Sequence, residues 1–117
     1  MASERKSTST VALNEYLLGE SCRFNEVLLL ISPRWKMQIL FSIYDGINRF
    51  SLLKKEYPSL SKQILGKRLK ELEAEGFVTK EINEKVAPTT ISYFIKPKGK
   101  ALLDIVPRLC EWGDKWI

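Results

Sequence analysis

Apolar side chains recur every three or four residues in the first half of the chain, which is the spacing of amphipathic helices. This pattern predicts short helices over residues 11–18 and 24–31. A third helix is expected to take Ser32 as its N-cap and Pro33 in its first turn, where these residue types are favoured. Gly46 should end that helix. Its apolar stripe is formed by Trp35, Ile39 and Ile43.

Two further helices joined by a turn are predicted in the middle of the chain. The first begins at Phe50 and must end before Pro58, because proline breaks the helical hydrogen-bond pattern. The second covers residues 62–75, with Ser61 as its N-cap and Gly76 as its stop. At 100° per residue, its buried face is formed by Leu65, Leu69 and Leu72. Its outer face is formed by Gln63, Gly66, Lys67 and Lys70.

After Gly76 the period changes to two. Residues 77–82 and 90–95 read as the two strands of a hairpin. The connection, residues 83–89, contains Lys85 and is too polar to be buried. The predicted fold class is therefore mainly α with a small β-hairpin (α+β), in the order of a winged helix-turn-helix.

The last helix is expected to begin at Pro97 and to kink near residues 103–107, where Pro107 interrupts it. Its apolar residues repeat at steps of three and four, as in a coiled-coil seam. Such a long apolar edge in a small chain is most simply covered by a second copy of the chain. The expected dimer interface consists of Leu102, Ile105, Leu109, Trp112 and Trp116.

Composition narrows the classes of function. With 117 residues, the chain forms one domain, expected over residues 11–117, after a polar and disordered tail at residues 1–10. No apolar run is long enough to cross a bilayer, so we expect a cytoplasmic protein with no membrane partner. The chain has no histidine, which removes the usual general base and the commonest zinc ligand. We therefore expect no enzyme, no metal and no cofactor.

A net charge of +5 makes a polyanion a plausible partner, and the order of elements indicates which one. The major groove of DNA admits a helix that buries leucines on one side and presents polar side chains on the other. A hairpin beside that helix can reach phosphates. We expect a homodimer that binds a pseudo-palindromic stretch of double-stranded DNA. The expected DNA contacts are Arg34, Arg49, Ser61, Lys62, Gln63, Lys67, Lys70 and Lys85.

These residues also carry a family resemblance from Cys22 to Trp116. The matching blocks are Cys22, the tetrapeptide at residues 32–35, Arg49-Phe50-Ser51-Leu52-Leu53, residues 60–78, residues 86–88, Tyr93, Gly99 and residues 109–113. In this order and spacing they resemble the HxlR-type winged-helix transcription regulators. The resemblance implies a sequence-specific repressor or activator. The chain departs from the family pattern at Pro33, at residues 89–93 and at Gly66, where Thr or Ser is usual. A glycine there weakens the helix, which indicates either a tolerated weakness or a close backbone approach to something.

The resemblance also bears on the two cysteines. In several HxlR-like regulators the cysteine at the position of Cys22 senses oxidants or electrophiles, and neighbouring Arg23 would favour the reactive thiolate. The alternative for Cys22 is plain packing, because cysteine is often buried. Cys110 is interpreted as a packing residue of the last helix. Modulation by thiol oxidation or by a small effector stays open.

Two alternatives from other classes of function remain. A winged-helix module that binds proteins and not DNA would show an acidic or apolar face on the helix at residues 62–75, and the sequence shows neither. An enzyme would need acid and base groups that converge on a pocket, and no such pair stands out. The lysines could also form an ordinary solvated face, and Arg34 and Arg49 ordinary ion pairs.

Overall fold

A computed structural model of the chain describes residues 23–117. The tail at residues 1–10, the helix predicted over residues 11–18 and Cys22 lie outside the described residues. In chain order the elements are α1 (Arg23–Ile31), α2 (Lys36–Tyr44), α3 (Phe50–Glu56), α4 (Lys62–Ala74), β1 (Val78–Asn83), β2 (Thr90–Ile95), α5 (Pro97–Leu103) and α6 (Val106–Trp116). The mainly helical fold with one hairpin is the predicted one. Within residues 23–117, no helix is long and apolar enough to span a bilayer.

The chain forms two compact units, Met1–Arg34 and Trp35–Ile117. In the first unit the described element is α1, which has no buried residue. The second unit holds all the other elements and the core. The side chains with the least exposure in that core are Lys36, Ile39, Leu40, Leu53, Leu65, Leu69, Leu72 and Val78.

The start of α2 differs from the prediction. Ser32 is not its N-cap and Pro33 is not in its first turn, because the helix begins at Lys36. The Ser32 N–H donates to the carbonyl oxygen of Leu28 at 2.9 Å, so Ser32 instead extends the hydrogen bonding of α1. Trp35 occupies the N-cap position of α2 with a φ of 74°, in the left-handed region that few bulky residues adopt. Its ring packs edge-on against Tyr57, with centroids 5.7 Å apart.

The hairpin is antiparallel, with a register that runs from Val78 opposite Ile95 to Asn83 opposite Thr90. It is joined to the segment before α3 by main-chain hydrogen bonding. The Tyr93 N–H donates to the carbonyl oxygen of Asn48 at 2.8 Å, and Arg49 forms a β-bridge with Ser92. These contacts hold the hairpin beside the helix-turn-helix, which is the arrangement of a wing.

The last predicted helix is two helices. The kink predicted at residues 103–107 is confirmed and is larger than a bend, since the helical pattern stops at Asp104 and Ile105 and resumes at Val106. Pro107 lies in the first turn of α6, where proline has no helical hydrogen bond to lose. Near the start of α5, Gly99 packs against the residue that precedes β1: a Cβ there would lie 2.7 Å from the Phe77 carbonyl oxygen.

Candidate nucleic-acid interface

Helix α4 is capped and oriented as the sequence predicts. The Ser61 Oγ accepts a hydrogen bond from the Ile64 N–H at 3.1 Å, which satisfies one of the free donors of the first turn. Leu65, Leu69 and Leu72 are at most 1% exposed, so the helix is anchored through one face. Five polar side chains stand exposed on the rest of its surface: Lys62, Gln63, Lys67, Lys70 and Glu73.

Two acidic residues at the C-terminal end of α4, Glu71 and the C-cap Glu75, lie against α2. Lys36 is only 2% exposed, and its Nζ forms ion pairs with the carboxylates of Glu71, at 3.8 Å, and Glu75. Arg68 pairs with Glu71 at 2.8 Å. Within residues 23–117, none of the three exposed lysines of α4 lies within ion-pair distance of a carboxylate. These three lysines therefore form no ion pair within the described part of the chain, and Glu73, three positions after Lys70, is the one exposed carboxylate of α4.

The next two expected contacts lie on the wing and at the start of α3. Residues 84–89 at its tip are all exposed, and the Lys85 N–H is fixed by a hydrogen bond to Asn83 Oδ1 at 3.1 Å. Arg49, in the N-cap position of α3, and Lys85 line the same open cleft of about 660 Å³. Glu81 and Glu84 line it as well, so its charge is mixed. The structure thus brings Arg49 and Lys85 together, although they are 36 positions apart in the sequence.

A second, smaller cleft of about 210 Å³ lies between α4 and the wing. It is lined by Phe50, Gly66, Lys70, Glu73, Lys80, Ile91 and Tyr93. Burial raises the pKa of the Tyr93 hydroxyl above its usual value, and the nearby charge of Glu73 raises it further. Tyr93 is therefore a neutral wall of this cleft at physiological pH.

The expected dimer seam forms an exposed apolar stripe. Ile105, Leu109, Trp112 and Trp116 are 54, 58, 60 and 65% exposed, whereas Leu102 is half-buried. Cys110 is exposed as well, so its interpretation as a packing residue within the chain is wrong. Exposed tryptophans beside one another are unusual on a monomer surface, which makes this stripe a candidate contact surface.

Comparison with known proteins identifies the family. Residues 30–117 match the sequence profile described as HxlR-like helix-turn-helix. The chain belongs to this family. The HxlR-like match includes α4, the wing and both C-terminal helices, so every element that forms the interface described above lies inside it.

Similar proteins include HTH-type transcriptional regulators. The chain is 38% identical over 100 residues to YvaP of Bacillus subtilis, which covers 85% of this chain and 92% of that protein. It is 34% identical over 103 residues to a regulator of Methanothermobacter thermautotrophicus, covering 88% and 75%. Among solved structures, the reduced form of the B. subtilis regulator YodB superposes with a TM-score of 0.72, at 28% identity, covering 80% and 91%. The reduced redox regulator HypR gives 0.69 at 31%, covering 78% and 89%.

Two expected residues remain, Arg34 and Cys22, and one residue was not expected. Arg34 is exposed and belongs to the first compact unit, whereas α4 belongs to the second. Cys22 lies outside the described residues. Lys80 was missed by the sequence analysis, although it is an exposed cation on β1 that lines the smaller cleft. Its pairing with Tyr93, which the hairpin register fixes, could have indicated it.

Proposed function

We propose that this protein is a transcription regulator that binds double-stranded DNA with α4 in the major groove. The observation that carries the proposal is the face of α4 whose three lysines have no acidic partner within residues 23–117. Such a face gains affinity from phosphates, because each neutralised phosphate releases condensed counterions. Gln63 and the lysines are the side chains we assign to base edges and nearby phosphates.

The flanking contacts belong to the wing and to the helix starts. Lys85 and Arg49 share one cleft, and we assign both to the phosphates on either side of the groove. Ser61, with its hydroxyl at the N-terminus of α4, and Arg34 are assigned to phosphates as well. None of these roles needs a catalytic group or a cofactor, and a regulator of this kind acts on the chromosome, in the cytoplasm.

The assembly that we propose is a homodimer formed through the terminal helices. Four of the five seam side chains, those from Ile105 onward, are more than half exposed, and a second copy would bury all of them. A two-fold dimer would set two α4 helices about one DNA turn, roughly 34 Å, apart. It would therefore favour a pseudo-palindromic operator.

Thiol oxidation at Cys22 is the regulation we propose. The structural neighbours support this step, since YodB was solved in reduced and diamide-treated forms and HypR in reduced and oxidised forms. An oxidant should change DNA binding by the wild-type protein and by Cys110→Ser, but not by Cys22→Ser. An unchanged oxidant response in Cys22→Ser would remove Cys22 from the proposal.

The test of DNA binding starts from a duplex recovered by the wild-type protein from a random-sequence library. Fluorescence anisotropy should show an affinity that falls steeply with salt. Lys67→Glu places a negative charge in the centre of the cationic face and should abolish binding. Lys100→Glu, the same change at an exposed site of α5, is the matched control and should bind far better. A salt-insensitive complex, or equal effects of the two changes, would contradict the proposal and favour a protein-binding module.

A further inference from the structure

Gly66 has no structural reason to be glycine within the described part of the chain. It lies in the middle of α4 and its φ is not positive, so its backbone conformation is open to any residue. A Cβ at this position would meet no atom within 4 Å. Gly99 shows the opposite case, since a Cβ there would collide with the carbonyl oxygen of Phe77. Glycine weakens a helix interior relative to alanine, and at Gly66 no contact within the chain requires it.

The empty space beside Gly66 is the smaller cleft between α4 and the wing. Phe50 and Ile91 give the cleft an apolar wall, and Lys70 and Lys80 add two exposed ammonium groups. Glu73, about two turns beyond Gly66 and one turn beyond Lys70, also lines it, so two cationic groups and one carboxylate face the cleft. At about 210 Å³ the cleft is smaller than the sites that enclose small molecules, which start at roughly 300 Å³. A cleft of this size can take one segment of a chain that lies across it.

We infer that this cleft receives a sugar–phosphate segment of one DNA strand, and that Gly66 is the point where this segment comes closest to the helix axis. The inference rests on the proposed function and identifies the part of DNA that this site takes. A deoxyribose has an apolar face that fits against Phe50 and Ile91, while the adjoining phosphate pairs with Lys70 and Lys80. A side chain at Gly66 would hold the strand away from both lysines.

The experiment replaces Gly66 by alanine and uses Gly113→Ala as the matched control. Gly113 is also a helical glycine of intermediate exposure with no atom within 4 Å of an added Cβ, but it lies in α6. Because α6 carries the proposed dimer seam, sedimentation must show that both variants keep the oligomeric state of the wild type. Both changes should raise the Tm by a few degrees, about 4 °C, because alanine is the better helix former. Binding is measured by anisotropy at several salt concentrations, on the duplex that the wild-type protein selects from a random library.

We expect Gly66→Ala to bind this duplex at least about tenfold more weakly than the wild type, as a local misfit in a protein–DNA interface does. Its plot of log affinity against log salt should also lose about one unit of slope, because a phosphate contact is lost. Gly113→Ala should match the wild type in both readouts. A variant that gains stability and loses affinity would show that the glycine serves the DNA and not the fold.

The opposite outcomes distinguish a failure of this inference from a failure of the proposed function. If Gly66→Ala binds as tightly as the wild type, or weakens binding with no change of slope, the assignment of this cleft to phosphate is overturned. If Gly66→Ala lowers the Tm, the chain itself needs the glycine, and the inference is overturned as well. If the wild type selects no duplex and binds none in a salt-dependent way, the proposed function itself fails.

Discussion

Ser61 acts at the entrance of the helix that the proposal places in the groove. Its hydroxyl oxygen accepts the Ile64 N–H, and its backbone is extended, so it ends the turn that precedes α4 and begins the helix at Lys62. Because the lysines and Gln63 follow within nine residues, the orientation of the first helical turn determines where these side chains point. A single cap therefore connects the local structure to the proposed interface.

Ser61→Ala should lower the free energy of unfolding by about 1 kcal/mol, since the first turn of α4 loses its side-chain acceptor. Urea unfolding followed by circular dichroism measures the change. Ser59→Ala is the control, because Ser59 is an exposed residue of the turn before the helix and caps nothing in the described contacts. Equal unfolding midpoints for the two variants would show that the cap contributes nothing.

The two serines predicted as N-caps, Ser61 and Ser32, show which residue-scale features the sequence can predict. Ser61 was predicted correctly, because it follows a turn and precedes a strongly amphipathic segment, so all local signals agree. The prediction that Ser32 and Pro33 begin α2 is wrong, although their residue types favour a helix start. The Ser32 N–H bonds back to Leu28 and the chain turns at Trp35, whose left-handed φ no pattern indicates.

At the scale of elements, α2 and α4 are held together by a charged cluster inside an apolar contact. Lys36 is almost completely buried against the carboxylates of Glu71 and Glu75, which are about 30% exposed. The sequence could not predict this cluster, because a lysine at the start of a helix is most often solvated and its partners lie 35 and 39 positions away. The leucine stripe of α4 was predictable, because its period depends on α4 alone.

Lys36→Ala should destabilise the protein by about 2–3 kcal/mol, since Glu75 loses its cation and Glu71 keeps only Arg68. The control is Lys55→Ala on α3, an exposed site where the change should stay within about 0.5 kcal/mol. Urea unfolding gives both values. The double change Lys36→Met and Glu75→Gln, which leaves Glu71 paired with Arg68, should recover most of the loss, because the cation and its nearer carboxylate are then removed together. A Lys36→Ala variant as stable as Lys55→Ala would contradict this account of the cluster.

The wing is the element whose role in binding can be measured by itself. Lys85 lies at its exposed tip and shares a cleft with Arg49, so one phosphate contact is expected there. Lys85→Gln should weaken binding to every duplex by a similar factor and reduce the salt slope by about one, because a phosphate contact carries no sequence information. Lys100→Gln, on α5, should leave the slope unchanged. A loss confined to particular base pairs would instead place Lys85 at base edges.

At the scale of the whole molecule, the exposed apolar stripe from Ile105 to Trp116 is left largely uncovered by the described part of one chain. The sequence predicted the stripe correctly as an apolar seam, because its steps of three and four are a local property. It predicted one kinked helix where two separate helices are present. The break at Asp104 and Ile105 separates Leu102 from the other seam residues. Leu102 is half-buried, whereas the four seam residues from Ile105 onward are more than half exposed.

Trp112 stands near the middle of the exposed seam and is 60% exposed, so a charge there should disrupt a dimer without disturbing the core. We expect Trp112→Glu to elute and sediment as a monomer under conditions where the wild type is a dimer, because a carboxylate would be buried without a partner. Phe94→Glu is the control: Phe94 is 44% exposed on β2, outside the seam, and its replacement should leave a dimer.

Loss of the dimer should also weaken binding to the full operator, because the two half-sites are then bound by unlinked subunits. With two linked α4 helices, the second contact forms at a high effective concentration, so a monomer should bind a pseudo-palindromic duplex at least about a hundredfold more weakly. The same monomer should bind a single half-site as well as the wild type does, since its α4 and wing are intact. If Trp112→Glu binds the full duplex with wild-type affinity, one subunit is sufficient and the seam serves another purpose. If the wild type already sediments as a monomer, the two-fold operator is excluded.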